Sequence, residues 1–203
     1  MAPPVQDNRQ RIIEAARLAF TAAGYRSSIE HIAQLAGVAK QTVYNHFPTK
    51  EALFDEMTRE NMNLFMVSLG DNPDDPRQAL LDFGRKYYES VLSGQCVSWM
   101  RMIAAEAPRF PDMAARTYQL GPVAMLDRLS DYLGRAMARG KLRRDDPGMA
   151  AEILYGMLSG AERTRMLFGV EREPYDQEAR VVAIVDCFMR AYAPPDNSNT
   201  QHS

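Results

Sequence analysis

Apolar residues recur three and four positions apart along most of this chain, the period of helices buried on one side. Beyond residue 76 no strand-type alternation interrupts that pattern. From Asn8 to Ala23, Ile12, Ile13, Ala16, Ala19, Phe20 and Ala23 fall on one stripe, while Gln10, Glu14, Arg17 and Thr21 face water and Gly24 closes the helix. Ser27 with Glu30 three residues on reads as a capping box, opening a helix that runs to about Ala36. Gly37 supplies a sharp turn, and a second short helix follows from about Ala39 to His46. Val43 and Phe47 are its inward positions, as Ile29, Ile32 and Ala33 are on the helix before; small Ala33 and Ala36 let the two backbones come close. Two short helices across a tight turn make a helix-turn-helix, whose second helix lies in the DNA major groove.

A connector helix is expected from Lys50 to about Ser68, carrying Leu53, Phe54, Met57, Met62, Leu64 and Phe65, and the segment GDNPDDP from Gly70 to Pro76 is a loop. Further helices are predicted at Arg77 to Leu92, Cys96 to Ala107, Phe110 to Gln119, Pro122 to Arg139, Pro147 to Phe168 and Pro174 to Ala193, punctuated by Gly or Pro. The fold class is therefore all-α. Residues 1–49 form the DNA-binding domain, with a flexible arm at residues 1–7; residues 50–193 form a larger helical domain; residues 194–203 are a disordered polar tail.

On the second helix of the motif Gln41, Thr42, Tyr44 and Asn45 point away from Val43 and Phe47, with Lys40 at the flank. Gln and Asn pair with adenine through two hydrogen bonds, Lys reaches guanine and the Thr methyl meets the thymine methyl. Tyr44, His46 and Lys50 carry donors suited to phosphate, and the helix restarting at Pro48-Thr49 offers N-terminal amides to an anion. Ser27 and Ser28, at the start of the preceding helix, complete the candidate DNA contacts. A polar face on a short helix is also what plain solvation produces, so the wording of the whole stretch has to decide.

That wording, GVAKQTVYNHFPTKEALF with Tyr25 after Gly24, closely resembles TetR-family transcriptional regulators over the first sixty residues. Gln41 departs from it, since the family often carries a small residue or Gly there, which leaves the operator sequence open but not the binding mode. RMIAAEAPRFPDMAARTYQLGP, from Arg101 to Pro122, is similar to the effector domain of the AefR-like branch. The resemblance implies a homodimeric, ligand-responsive regulator, most often a repressor, with the connector helix passing ligand-driven motion to the DNA-binding helices. Its partners would be a double-stranded operator, a small-molecule effector and a second copy of the chain.

Composition changes this picture little. A hydrophobic share of 46% over 203 residues supports a sizeable core, and a formal net charge of -2 announces no nucleic-acid partner. Residues 1–50, however, set six cations against three carboxylates, and local charge governs phosphate attraction. Cys96 and Cys187 suit a reducing compartment, MAPPVQDNRQ lacks the apolar core of a secretory signal, and no run approaches a membrane span, so a cytoplasmic protein with no membrane partner is expected. No histidine pairs with a Cys or a second His at metal-ligand spacing, and no HExxH, GxSxG, phosphate loop or dinucleotide fingerprint is present. The expectation is no catalytic set, no cofactor and no metal. An enzyme and an architectural DNA binder that senses nothing remain the rival readings.

Two late helices are apolar around more than half their circumference. Ile153, Gly156 and Gly160 on one, with Val181, Val185 and Phe188 on the other, are the candidate dimer interface, against the alternative that both are central helices of a bundle. Phe83, Tyr87, Trp99, Met100, Ile103, Phe110, Tyr118, Met125 and Met157 are a set rich in aromatics and Met, suited to an adaptable pocket for an apolar or aromatic ligand. Any single one of them is better read as core filling; it is the set taken together that points to a pocket.

Overall fold

The computed structural model describes residues 7–66, 69, 72–170 and 173–195, with side chains of 61–66 set aside. The expected arm at 1–6, part of the Gly70–Pro76 loop, the side chains of Met62, Leu64 and Phe65, and the tail from 196 lie outside the described residues. Within them the chain is all-helical: α1 (Asn8–Ala23), α2 (Ile29–Ala36), α3 (Lys40–His46), α4 (Lys50–Met66), α5 (Pro76–Val91), α6 (Gly94–Glu106), α7 (Pro111–Tyr118), a π-helical turn (Gln119–Val123), α8 (Ala124–Ala138), α9 (Pro147–Phe168) and α10 (Gln177–Ala191).

Helix ends follow local capping chemistry. Asp7, Asp75, Asp146 and Asp176 each accept a backbone N–H at the start of α1, α5, α9 and α10, and Pro stands in the first turn of α5, α7 and α9. One expected cap is displaced. Ser28, not Ser27, caps α2, its oxygen accepting from His31 N at 3.1 Å. Ser27 is buried, and its hydroxyl donates to the carbonyl oxygen of Ala19 at 2.9 Å, tying the turn to the end of α1. Pro122 likewise does not begin a helix but lies inside the π-helical turn, so α8 starts at Ala124.

The chain packs as two compact units, residues 1–63 with 94–121, and residues 64–93 with 122–203. A boundary is expected near Thr49; packing divides the chain elsewhere, and α6 and α7 belong to the same unit as the helix-turn-helix. In the first unit Ile12, Ile13, Phe20, Ile32, Val43, Phe47, Leu53, Phe54, Met57 and Trp99 share one core. Phe54 meets Phe20, Tyr25 and Trp99 at centroid distances of 5.3, 4.9 and 4.6 Å, and Tyr25 meets Phe110 at 5.1 Å. In the second unit α10 packs on α5 and α9, and α8 on α9. Gly84 of α5 lies so close to α10 that a Cβ there would stand 2.7 Å from Val181 Cγ1.

Candidate nucleic-acid interface

The helix-turn-helix is fixed from its buried side outward. Ile29, Ile32, Ala33 and Ala36 of α2, with Val43 and Phe47 of the α3 stretch, are buried against α1 and α4. Gly37 ends α2 in the left-handed region, at φ 64° and ψ 37°, where a side chain is strained. Arg11 reaches across from α1, its Nη2 donating to Ala36 O at 2.5 Å and to Gly37 O at 3.3 Å, so that guanidinium satisfies helix-end carbonyls. Arg9 pairs with Glu56 and with Glu60, the latter at 3.1 Å, clasping α1 to α4. Neither arginine projects freely from the start of α1.

With that side fixed, α3 presents Lys40, Gln41, Tyr44, Asn45 and His46 to solvent, with Thr42 half-buried. Gln41 Nε2 donates to Asn45 Oδ1 at 3.1 Å, so the two amides capable of reading adenine stand together on consecutive turns. Lys40 is paired with Glu30 of α2 and lies 5.7 Å from the Tyr44 ring. That pairing raises the ammonium pKa and lowers the carboxyl, and both groups are fully exposed, so phosphate can compete for the lysine.

The remaining candidates separate from this face. Ser27 is directed into the fold, whereas Ser28 is exposed although its oxygen caps α2. Lys50 is half-buried, its ammonium 4.5 Å from the Tyr25 ring centroid, and burial lowers its pKa. At the start of α4, Thr49 Oγ1 accepts from Ala52 N at 3.0 Å, and the Glu51 carboxyl, bound by its own backbone N–H, is held below its usual range. Two groups thus already answer the amides expected to hold an anion. Arg26, in the turn before α2, is exposed; it entered the sequence reading only as charge.

The aromatic and Met set divides between the two units. Trp99, Met100, Ile103, Phe110 and Tyr118 are in the first, where Trp99 is buried on Phe54, Ile103 and Phe110 flank that core, and Tyr118 is 56% exposed. Phe83, Tyr87, Met125 and Met157 are in the second; the first three are buried and Met157 is half-buried.

The interface set divides as well. Ile153, Gly156 and Gly160 are exposed on α9, but Val181, Val185 and Phe188 of α10 are buried inside their own unit, Phe188 stacked on Tyr192 at 4.5 Å. Those three belong to the α5–α9–α10 core, because close approach at Gly84 draws that face of α10 inward. Gly160 is no ordinary helix position: at φ 30° and ψ -145° it breaks α9 in two. A surface cleft of about 740 Å³ at the end of α8, lined by residues 137–140, 142–144 and 193–195, contains none of the candidates.

Among the described residues no group of His, Cys, Asp and Glu could hold a metal ion, and no helix is long and apolar enough to cross a membrane. Residues 12–57 match the profile of bacterial regulatory proteins of the tetR family, and residues 78–194 match the C-terminal domain of AefR-like transcriptional repressors. The chain is 27% identical to the HTH-type transcriptional regulator TtgR of Pseudomonas putida over 171 residues, 80% of this chain and 81% of that protein. Among solved structures, a TetR-family transcriptional regulator from Mesorhizobium loti MAFF303099 aligns with a TM-score of 0.77 at 26% identity, over 95% of this chain and 100% of that one. The flavonoid-responsive regulator FrrA aligns with a TM-score of 0.74 at 30% identity, over 93% of this chain and 98% of that one.

Proposed function

Because the chain belongs to the TetR family of transcriptional regulators, we propose that it is a repressor that binds a palindromic operator as a homodimer and is released by a small aromatic effector. The observation that carries the DNA half is the α3 face, where the Gln41–Asn45 amide pair, Lys40, Tyr44 and His46 are exposed while Val43 holds the opposite side in the core. Thr42 contributes its methyl, Ser28 and Arg26 sit at the entrance to α2, and Lys50 acts through packing on Tyr25.

For the dimer, the exposed face of α9 offers Met149, Ile153 and Gly156, and α10 leaves Ala179, Ala183 and Cys187 exposed at four-residue spacing. Small residues in a row let a second helix approach closely. For the effector, a relative named for its response to flavonoids supports an aromatic compound, as does the aromatic content of α5. The larger C-terminal helical region carries effector binding and dimerisation. Motion reaches α3 by way of α4, which α1 holds through Arg9–Glu56, α6 through Trp99–Phe54 and α7 through Arg116–Asp55 at 3.3 Å.

Footprinting of the protein on its own upstream DNA, with and without candidate aromatics, tests this reading. A two-fold-symmetric protected site that an aromatic compound abolishes is expected; no protected site would end the proposal. Gln41→Ala is expected to lose about 1–3 kcal/mol on cognate DNA and little on random DNA, since a bidentate base contact discriminates and phosphate contacts do not. Gel-shift titrations on both DNAs check this, and equal losses would remove Gln41 from base reading.

A further inference from the structure

Between Glu14 and Glu51 the sequence carries a single carboxylate, Glu30, on a stretch that also holds Arg17, Arg26, Lys40 and Lys50. It stands in the first turn of α2 with its side chain 61% exposed. The carboxylate is paired with Lys40, the first residue of α3, across the turn between the two helices. The Tyr44 ring lies 5.7 Å from the same ammonium. One helix of the motif thus fixes the position of a cation on the other. Residues at the start of the second helix are the ones that meet base edges in the major groove. A carboxylate bonded to Lys40 therefore enters the groove with it.

Phosphate attraction alone argues against an acid at this place, because it repels the backbone that the neighbouring cations attract. An acid does suit the start of a helix, and Glu30 accepts from its own backbone N–H as well as from Lys40. That role needs no DNA, and Ser28 already caps α2 by accepting from His31 N at 3.1 Å. What the ion pair adds is a donor and an acceptor held side by side. On its major-groove edge a G·C pair presents the complement: guanine O6 accepts, cytosine N4 donates, and the two are bonded to each other at about 2.9 Å. Lys40 on guanine O6 and Glu30 on cytosine N4 close a ring of matched groups. With the pair reversed to C·G, donor faces donor and acceptor faces acceptor.

We propose that Glu30 is a specificity-determining residue that, with Lys40, reads the orientation of one G·C pair in each operator half-site. This rests on the α3 face being the base-reading surface, and it goes further by assigning a residue of α2 to that surface. The carboxylate takes a hydrogen bond from cytosine N4 and holds the ammonium on guanine, away from phosphate. The neighbouring amides of Gln41 and Asn45 are left to read adenine.

The test uses Glu30→Gln in the full-length protein, since an amide fills the same volume and can turn to offer either a donor or an acceptor. Footprinting of the parent first locates the operator. Each G·C pair of the half-site is then reversed to C·G, symmetrically in both halves, and gel-shift titrations give the affinities. In the parent, reversal at one position is expected to cost at least about tenfold, and in Glu30→Gln that penalty should shrink to about two- or threefold. Glu30→Gln should also bind random DNA about fivefold tighter, with a salt slope steeper by about one unit, as Lys40 turns to phosphate. Its melting temperature should stay within about 2 °C of the parent, because an exposed ion pair contributes little to stability. A reversal penalty that survives intact in Glu30→Gln would overturn the proposal. So would an equal change on every sequence, or a variant that melts several degrees lower and loses all DNA binding alike. A parent that protects no site would end the operator reading and this inference with it, whereas a protected operator on which Glu30→Gln alters no preference ends this inference alone.

Discussion

Val185→Asp is expected to unfold the second unit rather than to separate two subunits. Val185 has no exposed surface, and its neighbours one turn either way, Val181 and Phe188, are equally enclosed between α10, α5 and α9. A carboxylate there has no cation within its own face to meet it, and burying an unpaired charge costs several kcal/mol, a large part of the roughly 5–15 kcal/mol that holds a domain together. Circular dichroism should show lost helix and gel filtration should show aggregate. Ala183→Glu, on the opposite side of the same helix, is the contrasting case. Its side chain is exposed between Ala179 and Cys187, so the fold should survive with a nearly unchanged melting temperature. Light scattering should find a monomer, and operator affinity should fall on the order of 100-fold as the two half-sites lose their linkage. A dimer that persists in Ala183→Glu would place the interface elsewhere.

The contrast rests on burial: of the candidate interface residues, three are exposed on α9 and three lie inside the core on α10. Apolar residues around most of α10 suggest two kinds of surface, and hydropathy alone favours the larger side chains for an interface. The structure gives Val181, Val185 and Phe188 to the core, because Gly84 on α5 admits α10 to within side-chain contact. The fully exposed apolar positions that remain are the small ones, Ala179, Ala183, Cys187 and Ala191, with Val182, Ile184 and Met189 half-buried. Ile153, Gly156 and Gly160 on α9 are exposed as the helical wheel expects, yet the break at Gly160 depends on φ and has no pattern in the sequence.

Helix bounds were most legible where the cap lies next in sequence. α1 and α9 begin and end where Asp7 and Gly24, and Asp146 and Gly169, place them. Two adjacent serines defeated the same logic at α2, since the choice between Ser27 and Ser28 is made by Ala19 O, eight residues away. The α3 face was legible because so short a helix has one inward residue, Val43, and the rest follow from the period. The division of the aromatic and Met set between the two units was not legible, because Met and aromatic residues look alike in either core. Which core each joins depends on the chain leaving the first unit at residue 63 and returning at 94.

Trp99 is where that return matters most, and Trp99→Ala is expected to weaken operator binding although the residue does not touch DNA. The indole is buried on Phe54, which in turn meets Phe20 of α1 and Tyr25 in the turn before α2, while Phe110 closes on Tyr25 from the segment before α7. Five segments therefore share one run of aromatic contacts. Removing a buried Trp side chain costs about 3–5 kcal/mol through lost transfer energy and the cavity left behind. In a chain of this size that lowers the melting temperature on the order of 10 °C. Tyr25 would lose the support that holds its hydroxyl 3.2 Å from Glu51 and its ring beneath Lys50, so the turn feeding α2 loosens together with the start of α4. A gel shift below the new melting point should show weakened binding on cognate and random DNA alike, unlike the sequence-selective loss at Gln41. Trp99→Phe, which keeps a ring against Phe54, should recover most of the stability and the binding. Trp99 emission then reports the packing of this core, and a ligand alters it only by altering that packing. Full operator affinity in a stable Trp99→Ala protein would show that the helix-turn-helix does not depend on α6.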